Sequence, residues 1–291
     1  MKKINIFCFG FGDVAKSFIY KLNSENFSIN LSTTTRQPTQ NLKIDNINYK
    51  NFQFDNKRFD KQLLEKLQQA QYILISIPPV DGNDLVVKNF YDVLEKSNLK
   101  WVTYLSATSV YGDHKGNWVD EESKTIPTST NGIDRLLAEK SWMSLMINKK
   151  IPLQIFRLSG IYSNRKNILT RLKSGNVNLI NKKNHFFSRI HVEDISNILF
   201  KSLSNFKAGE IYNISDDKPC SAEEVTLYGA KILNMDKPKS IEINDIKSEM
   251  LKNFYNDSKK VSNKKMKKFF NYNLKFPTYV EGLNNIRNNF S

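Results

Sequence analysis

Residues 4–15 read Ile4-Asn5-Ile6-Phe7-Cys8-Phe9-Gly10-Phe11-Gly12-Asp13-Val14-Ala15, an apolar run closed by a Gly10-x-Gly12-x-x-Ala15 turn that leads into Val14, Phe18 and Leu22 at helical spacing. The run predicts a buried strand, the spacing after it a helix, and the turn between them a seat for a pyrophosphate. Gly10 permits the tight turn, Gly12 lets the backbone approach the phosphates, and Ala15 lets helix and strand pack closely. The helix N-terminus adds free N–H donors and the positive end of a dipole. Gly10, Phe11, Gly12, Asp13 and Val14 are thus the expected phosphate-side contacts of a dinucleotide, set against the alternative of an ordinary glycine turn.

The end of the second predicted strand, 27–34, bears on which dinucleotide. NAD-type sites place an Asp or Glu there for the ribose hydroxyls. This chain has Thr34, Thr35 and Arg36, and its next carboxylate is Asp45. The planar fork of Arg36, backed by the Thr34 and Thr35 hydroxyls, suits a 2′-phosphate. NADP(H) is therefore expected in preference to NAD(H), with a solvated loop arginine as the competing reading.

Outward from this corner, apolar runs and helical patterns alternate. Strands are expected at 3–9, 27–34, 49–54, 71–77, 100–106 and 152–157, and helices at about 13–23, 59–69, 83–97 and 132–148. This alternation predicts an α/β fold with a doubly wound parallel sheet (Rossmann) and the ligand at the carboxyl ends of its strands. After 157 the elements shorten: a helix at 166–173, a hairpin near 177–190, a helix at 192–204, a strand at 211–214, a helix at 221–233 and two terminal helical stretches. The expected division is a dinucleotide-binding domain over 1–160 plus about 191–215, and a smaller interleaved C-terminal α/β substrate lobe over 161–190 and 216–291.

The 291 residues carry a net charge of +15, with lysines dispersed rather than gathered into a nucleic-acid motif. No specific nucleic-acid partner is expected. No apolar stretch reaches the roughly 18 residues of a membrane helix, and Met1-Lys2-Lys3 opens no signal peptide, so a soluble cytoplasmic protein without a membrane partner is expected. Cys8 and Cys220 fit no metal or redox spacing, and His114, His185 and His191 are too scattered for a metal site.

Several further pieces fall in a characteristic order: Asp55 after the third strand, Ser106 to Gly112 on the fifth, Glu139 in the next helix, Arg157-Leu158-Ser159-Gly160-Ile161-Tyr162, His191-Val192-Glu193-Asp194-Ile195 and Tyr212-Asn213-Ile214-Ser215. With the Gly-rich turn they make the chain resemble, nearly end to end, the atypical and extended short-chain dehydrogenase/reductase superfamily, in its NAD(P)-dependent nucleotide-sugar epimerase/dehydratase group. The resemblance implies Asp55 near the adenine, Ser76, Ile77, Pro78 and Leu158 along the cofactor, and residues 159–190 and 216–291 around a small-molecule substrate. Oligomeric state stays open, a homodimer included.

That family works with a Ser or Thr, a Tyr, and a Lys four residues after the Tyr; the Tyr exchanges a proton with a substrate hydroxyl as hydride moves. Here Ala107 stands at the Ser/Thr position between Ser106 and Thr108, Asn131 at the Tyr position and Arg135 at the Lys position. An amide is no acid or base near neutrality, and an arginine keeps its charge but cannot deprotonate. Three readings stay open: a divergent oxidoreductase or epimerase in which Thr108, Tyr111 or Ser106 supplies the proton and Arg135 orients substrate or ribose; a non-catalytic NADP(H)-binding sensor or interaction protein; or a non-redox lyase step. Arg157 and Arg189 are expected to pair with Asp194 or Glu193 rather than with substrate, and His191 to cap the helix after it.

Overall fold

The computed structural model describes residues 3–175, 177–180, 182, 184–246, 248, 252 and 255–289. Its frame is an eight-stranded sheet. The first six strands in the chain are β1 (Lys3–Phe9), β2 (Ser28–Thr35), β3 (Gln40–Ile44), β4 (Ile47–Gln53), β5 (Tyr72–Ile75) and β6 (Trp101–Ala107), and Leu153–Leu158 and Ile211–Ile214 complete it. The spatial order is Ile211–Ile214, Leu153–Leu158, β6, β5, β1, β2, β4, β3. Chain growth from β1 runs outward through β2 to β4, then reverses to β5 on the other side of β1. That reversal creates the topological switch point at which open α/β sheets bind ligands.

The β1–β2, β1–β5, β2–β4 and β5–β6 pairings are parallel, whereas β3 pairs with β4 antiparallel. The sheet is thus the expected Rossmann-type doubly wound sheet with one added edge. β3 escapes the sequence reading because its residues, Gln40-Asn41-Leu42-Lys43-Ile44, are largely polar. Asp45, at φ 50°, opens the tight turn into β4.

α1 (Asp13–Ser24) buries Val14, Ala15, Phe18, Ile19 and Leu22, the stripe read from the sequence. α2 (Gln62–Gln69) starts later than the expected 59, because Phe59 bridges back to Phe54 and the Asp60 carboxylate receives the Gln62 N–H. α3 (Leu85–Lys96) is capped by Asp84, whose Oδ1 accepts the N–H groups of Val86 and Val87 at 2.9 Å. Phe7, Phe9, Phe52, Phe54 and Phe90 fill the core between sheet and helices, with ring centroids 4.8 to 6.4 Å apart.

The chain divides into two compact units. The first comprises 1–107, 133–157 and 195–212; the second comprises 108–132, 158–194 and 213–291. In the second unit the described residues of 177–190 do not pair with one another as the expected hairpin. Leu179–Ile180 pairs in parallel with Ser240–Ile241, and Arg189–His191 pairs in parallel with Gly160–Tyr162. Both short strands find distant partners, which local turn signals cannot reveal. No described helix is long and apolar enough to cross a membrane.

Candidate functional site

β1 ends at Phe9, and Gly10 turns the chain at φ 83°, a left-handed conformation that glycine adopts without strain. A Cβ at Gly10 would lie 2.8 Å from both Ile77 Cγ2 and Ser76 Oγ, so the turn packs tightly on the end of β5. Gly12 is the opposite case. Its backbone is extended (φ −84°, ψ −168°), and a Cβ there would meet nothing within 4 Å. Gly12 is also the N-cap of α1 and has no side chain with which to cap that turn. The start of α1 thus has open space at Gly12 and a helix N-terminus beside it, the setting that an anion seat requires.

The other expected cofactor residues of the first unit have the following surroundings. Phe11 packs on Tyr49 at 5.1 Å, and Val14 is buried in the foot of α1. Ser76 and Ile77 are half-buried and Pro78 exposed where the chain leaves β5. Asp55 Oδ1 accepts the N–H groups of Lys57 and Arg58 at 2.8 and 3.0 Å, bonds that hold its carboxyl below the usual range.

The three residues proposed to cradle a 2′-phosphate differ in role. Arg36 is exposed and makes no hydrogen bond or ion pair with any described residue. Thr35 Oγ1 accepts the Gln37 N–H at 3.2 Å, tying the loop that carries Arg36. Thr34 is buried, and its Oγ1 accepts the Gly10 N–H at 2.8 Å. This hydroxyl oxygen thus holds the glycine turn, a contact the sequence did not announce.

The expected catalytic residues are distributed over both units. In the first, Ser106 near the end of β6 is buried and donates a 2.5 Å hydrogen bond to Glu139 Oε1. Arg157 meets the same carboxylate through Nε at 3.1 Å to Oε1 and Nη2 at 2.7 Å to Oε2. This replaces the expected pairing of Arg157 with Asp194 or Glu193, and nothing local in the sequence announces it. Arg135, on helix α4 (Thr130–Lys149), is half-buried, donates to the Leu105 carbonyl and lies 6.0 Å from the Tyr104 ring centroid.

In the second unit, Thr108 begins a 3-10 turn that ends at Tyr111. Thr108 is half-buried, whereas Tyr111 is fully buried and its hydroxyl donates to Asn213 Oδ1 at 2.8 Å. The Asn213 N–H in turn donates to Glu121 Oε1 at 2.7 Å. Asn131 is exposed, and Leu158 is buried.

Arg189 in this unit donates to the carbonyls of Phe187, Cys220 and Ser221 at 3.2 to 3.3 Å. Asp194 is spoken for by the Tyr272 hydroxyl and the N–H groups of Lys275 and Phe276. His191 Nδ1 accepts the Glu193 N–H at 3.2 Å at the start of helix Val192–Ser202, and burial depresses its pKa to about 4. Among the described residues no group of three His, Cys, Asp or Glu side chains is placed to hold a metal ion.

No family model and no curated protein matches the chain. Solved structures do. A functionally unknown conserved protein from Silicibacter pomeroyi DSS is similar with 28% identity over 99% of both chains and a TM-score of 0.86. A dTDP-glucose 4,6-dehydratase from Bacillus anthracis str. Ames, in complex with NAD, shares 18% identity over 99% of this chain and 96% of its own, with a TM-score of 0.76. A UDP-glucuronic acid 4-epimerase from Bacillus cereus, also in complex with NAD, shares 16% over 98% and 99%, with a TM-score of 0.76. The chain thus has the Rossmann-type α/β fold found in NAD-dependent epimerases and dehydratases.

Proposed function

We propose that this protein binds a nicotinamide adenine dinucleotide, NADP(H) in preference to NAD(H), and acts on a small, nucleotide-sugar-like substrate as an oxidoreductase or epimerase. One observation carries the reading: the N-cap of α1 is Gly12, and it opens onto space that a methyl group would enter unopposed. A pyrophosphate suits that space, because backbone donors and the helix dipole favour an anion there. The dehydratase and epimerase of like fold were solved with NAD, which supports a nicotinamide cofactor. Their names, for enzymes of dTDP-glucose and UDP-glucuronic acid, support the substrate class.

In this reading Gly10 to Val14 hold the pyrophosphate, Thr35 and Arg36 the 2′-phosphate, and Asp55 the adenine side. Ser76, Ile77, Pro78 and Leu158 flank the rest. When bound, the nicotinamide supplies hydride transfer. Arg135 contributes fixed positive charge and hydrogen-bond donors, and Thr108 is the hydroxyl that exchanges a proton with substrate. The Ser106 and Tyr111 hydroxyls already donate to Glu139 and Asn213, so the proton role falls to Thr108.

A second reading, a non-catalytic NADP(H) sensor, draws on the same two hydrogen bonds and on Asn131 and Arg135 standing where the related enzymes carry Tyr and Lys. Titration with NADPH and NADH, followed by incubation of the loaded protein with dTDP- and UDP-sugars, separates the two. Turnover that falls in Thr108→Ala at unchanged NADPH affinity supports the enzyme. Stoichiometric binding without turnover supports the sensor, and absence of binding rejects both.

A further inference from the structure

We propose that Thr34 is a positioning residue for the dinucleotide, acting with Ser76 as a two-sided hydroxyl clamp that sets the Gly10 turn before any ligand arrives. The inference rests on the dinucleotide reading above and concerns how this chain builds that site. Thr34 comes from the end of β2 and Ser76 from the residue after β5, the strands that flank β1 on either side. From one side Thr34 Oγ1 accepts the Gly10 N–H at 2.8 Å. From the other, Ser76 shares its hydroxyl proton between the carbonyls of Phe9 (3.0 Å) and Gly10 (3.1 Å), while its own N–H donates to the Phe9 carbonyl at 2.9 Å.

Three polar groups of the two peptide planes around Gly10 are thereby satisfied inside the protein: the Phe9 carbonyl, the Gly10 N–H and the Gly10 carbonyl. Glycine is the residue with the most backbone freedom to lose, and an untethered glycine turn would pay that entropy when the phosphate binds. The clamp settles the conformation during folding instead. It also explains why Thr34 is buried although it lies two residues from the exposed Arg36. Its oxygen serves the part of the site common to both nicotinamide dinucleotides, whereas Arg36 faces the part that differs.

The test is titration of the full-length protein with NADPH and with NADH for wild type, Thr34→Val and Thr34→Ser, with thermal melting as a check on folding. Valine keeps the shape and removes the acceptor; serine keeps the acceptor. The clamp predicts that Thr34→Val weakens both ligands by the same factor, about tenfold for one lost hydrogen bond, and that Thr34→Ser restores affinity to within about twofold of wild type. Equal affinities in Thr34→Val and wild type overturn the proposal. So does a loss confined to NADPH, which would put Thr34 at the 2′-phosphate, or a failure of serine to rescue. Should Thr34→Val not melt cooperatively, Ser76→Ala carries the same expectation of equal weakening for both ligands. Wild-type protein that binds neither nucleotide overturns the dinucleotide reading itself, an outcome distinct from an unaffected valine variant.

Discussion

Glu139 and Arg157 form a buried ion pair, Oε2 to Nη2 at 2.7 Å, with side chains only 4% and 5% exposed. Ser106 adds a hydroxyl donor to the same carboxylate, which helps offset the desolvation of two charges. Removing one partner strands the other charge in the core, so Glu139→Ala should lower unfolding free energy by about 3–5 kcal/mol. Ser106→Ala removes one charge-assisted hydrogen bond and should cost about 1.5–3 kcal/mol. Urea unfolding of the two variants measures both, and equal small losses would show that the pair contributes little.

Tyr111 and Asn213 define a second buried contact, and it bears on chemistry. Tyr111 is fully buried and its hydroxyl donates to Asn213 Oδ1. Tyr111→Phe should cost about 1–3 kcal/mol by leaving a buried amide oxygen unsatisfied, and should leave NADPH affinity and any turnover near wild type. A collapse of turnover at unchanged stability would return Tyr111 to the list of proton donors.

Asp216 supplies a pH dependence. It is almost fully buried; Oδ1 accepts the Lys218 N–H at 3.2 Å, and Oδ2 finds no partner among the described residues. Burial pushes its pKa up to about 8, although the Arg189 charge pulls the other way. In the unfolded chain the same carboxyl ionises at about pH 3.9. Between those values the folded protein holds a proton that the unfolded chain has shed. The stability contributed by Asp216 is therefore full below about pH 4 and is lost as the pH rises toward 8. Asp216→Asn cannot ionise, so its stability relative to wild type should climb between about pH 4 and about pH 8 in urea unfolding. Parallel pH profiles for the two proteins would contradict this.

How far this was legible in the sequence follows from what each element depends on. The β1 run and the Val14, Phe18, Leu22 stripe carry their burial in the local pattern, and β1 and α1 fall where that pattern puts them. β3 offers only Leu42 and Ile44 at alternate positions among polar residues, and the short strands of the second unit pair with segments far away in the chain. The Ser106–Glu139–Arg157 network joins three elements, with bonds spanning 33 and 18 residues. Thr34 and Tyr111 carry hydroxyls suited equally to a ligand or to a neighbour, and only the fold shows that Thr34 accepts from Gly10 and that Tyr111 donates to Asn213.

Arg36 sets the expected cofactor preference. Exposed and without a partner among the described residues, its guanidinium is available for a bidentate 2′-phosphate contact. Arg36→Ala should weaken NADPH by about tenfold or more and leave NADH nearly unchanged, following the usual worth of a charge-assisted contact. Calorimetric titration of both nucleotides checks it, and equal affinities in wild type would end the NADP(H) preference.

The most direct measurement is NADPH affinity in Gly12→Ala beside wild type. The added methyl group has a permitted backbone and open space, so the fold should survive with a melting temperature close to wild type. The same methyl group would occupy the place assigned to the pyrophosphate, so saturable binding in wild type should be lost in the variant. Undiminished NADPH binding by a well-folded Gly12→Ala protein would show that the glycine turn holds no phosphate and would contradict the account.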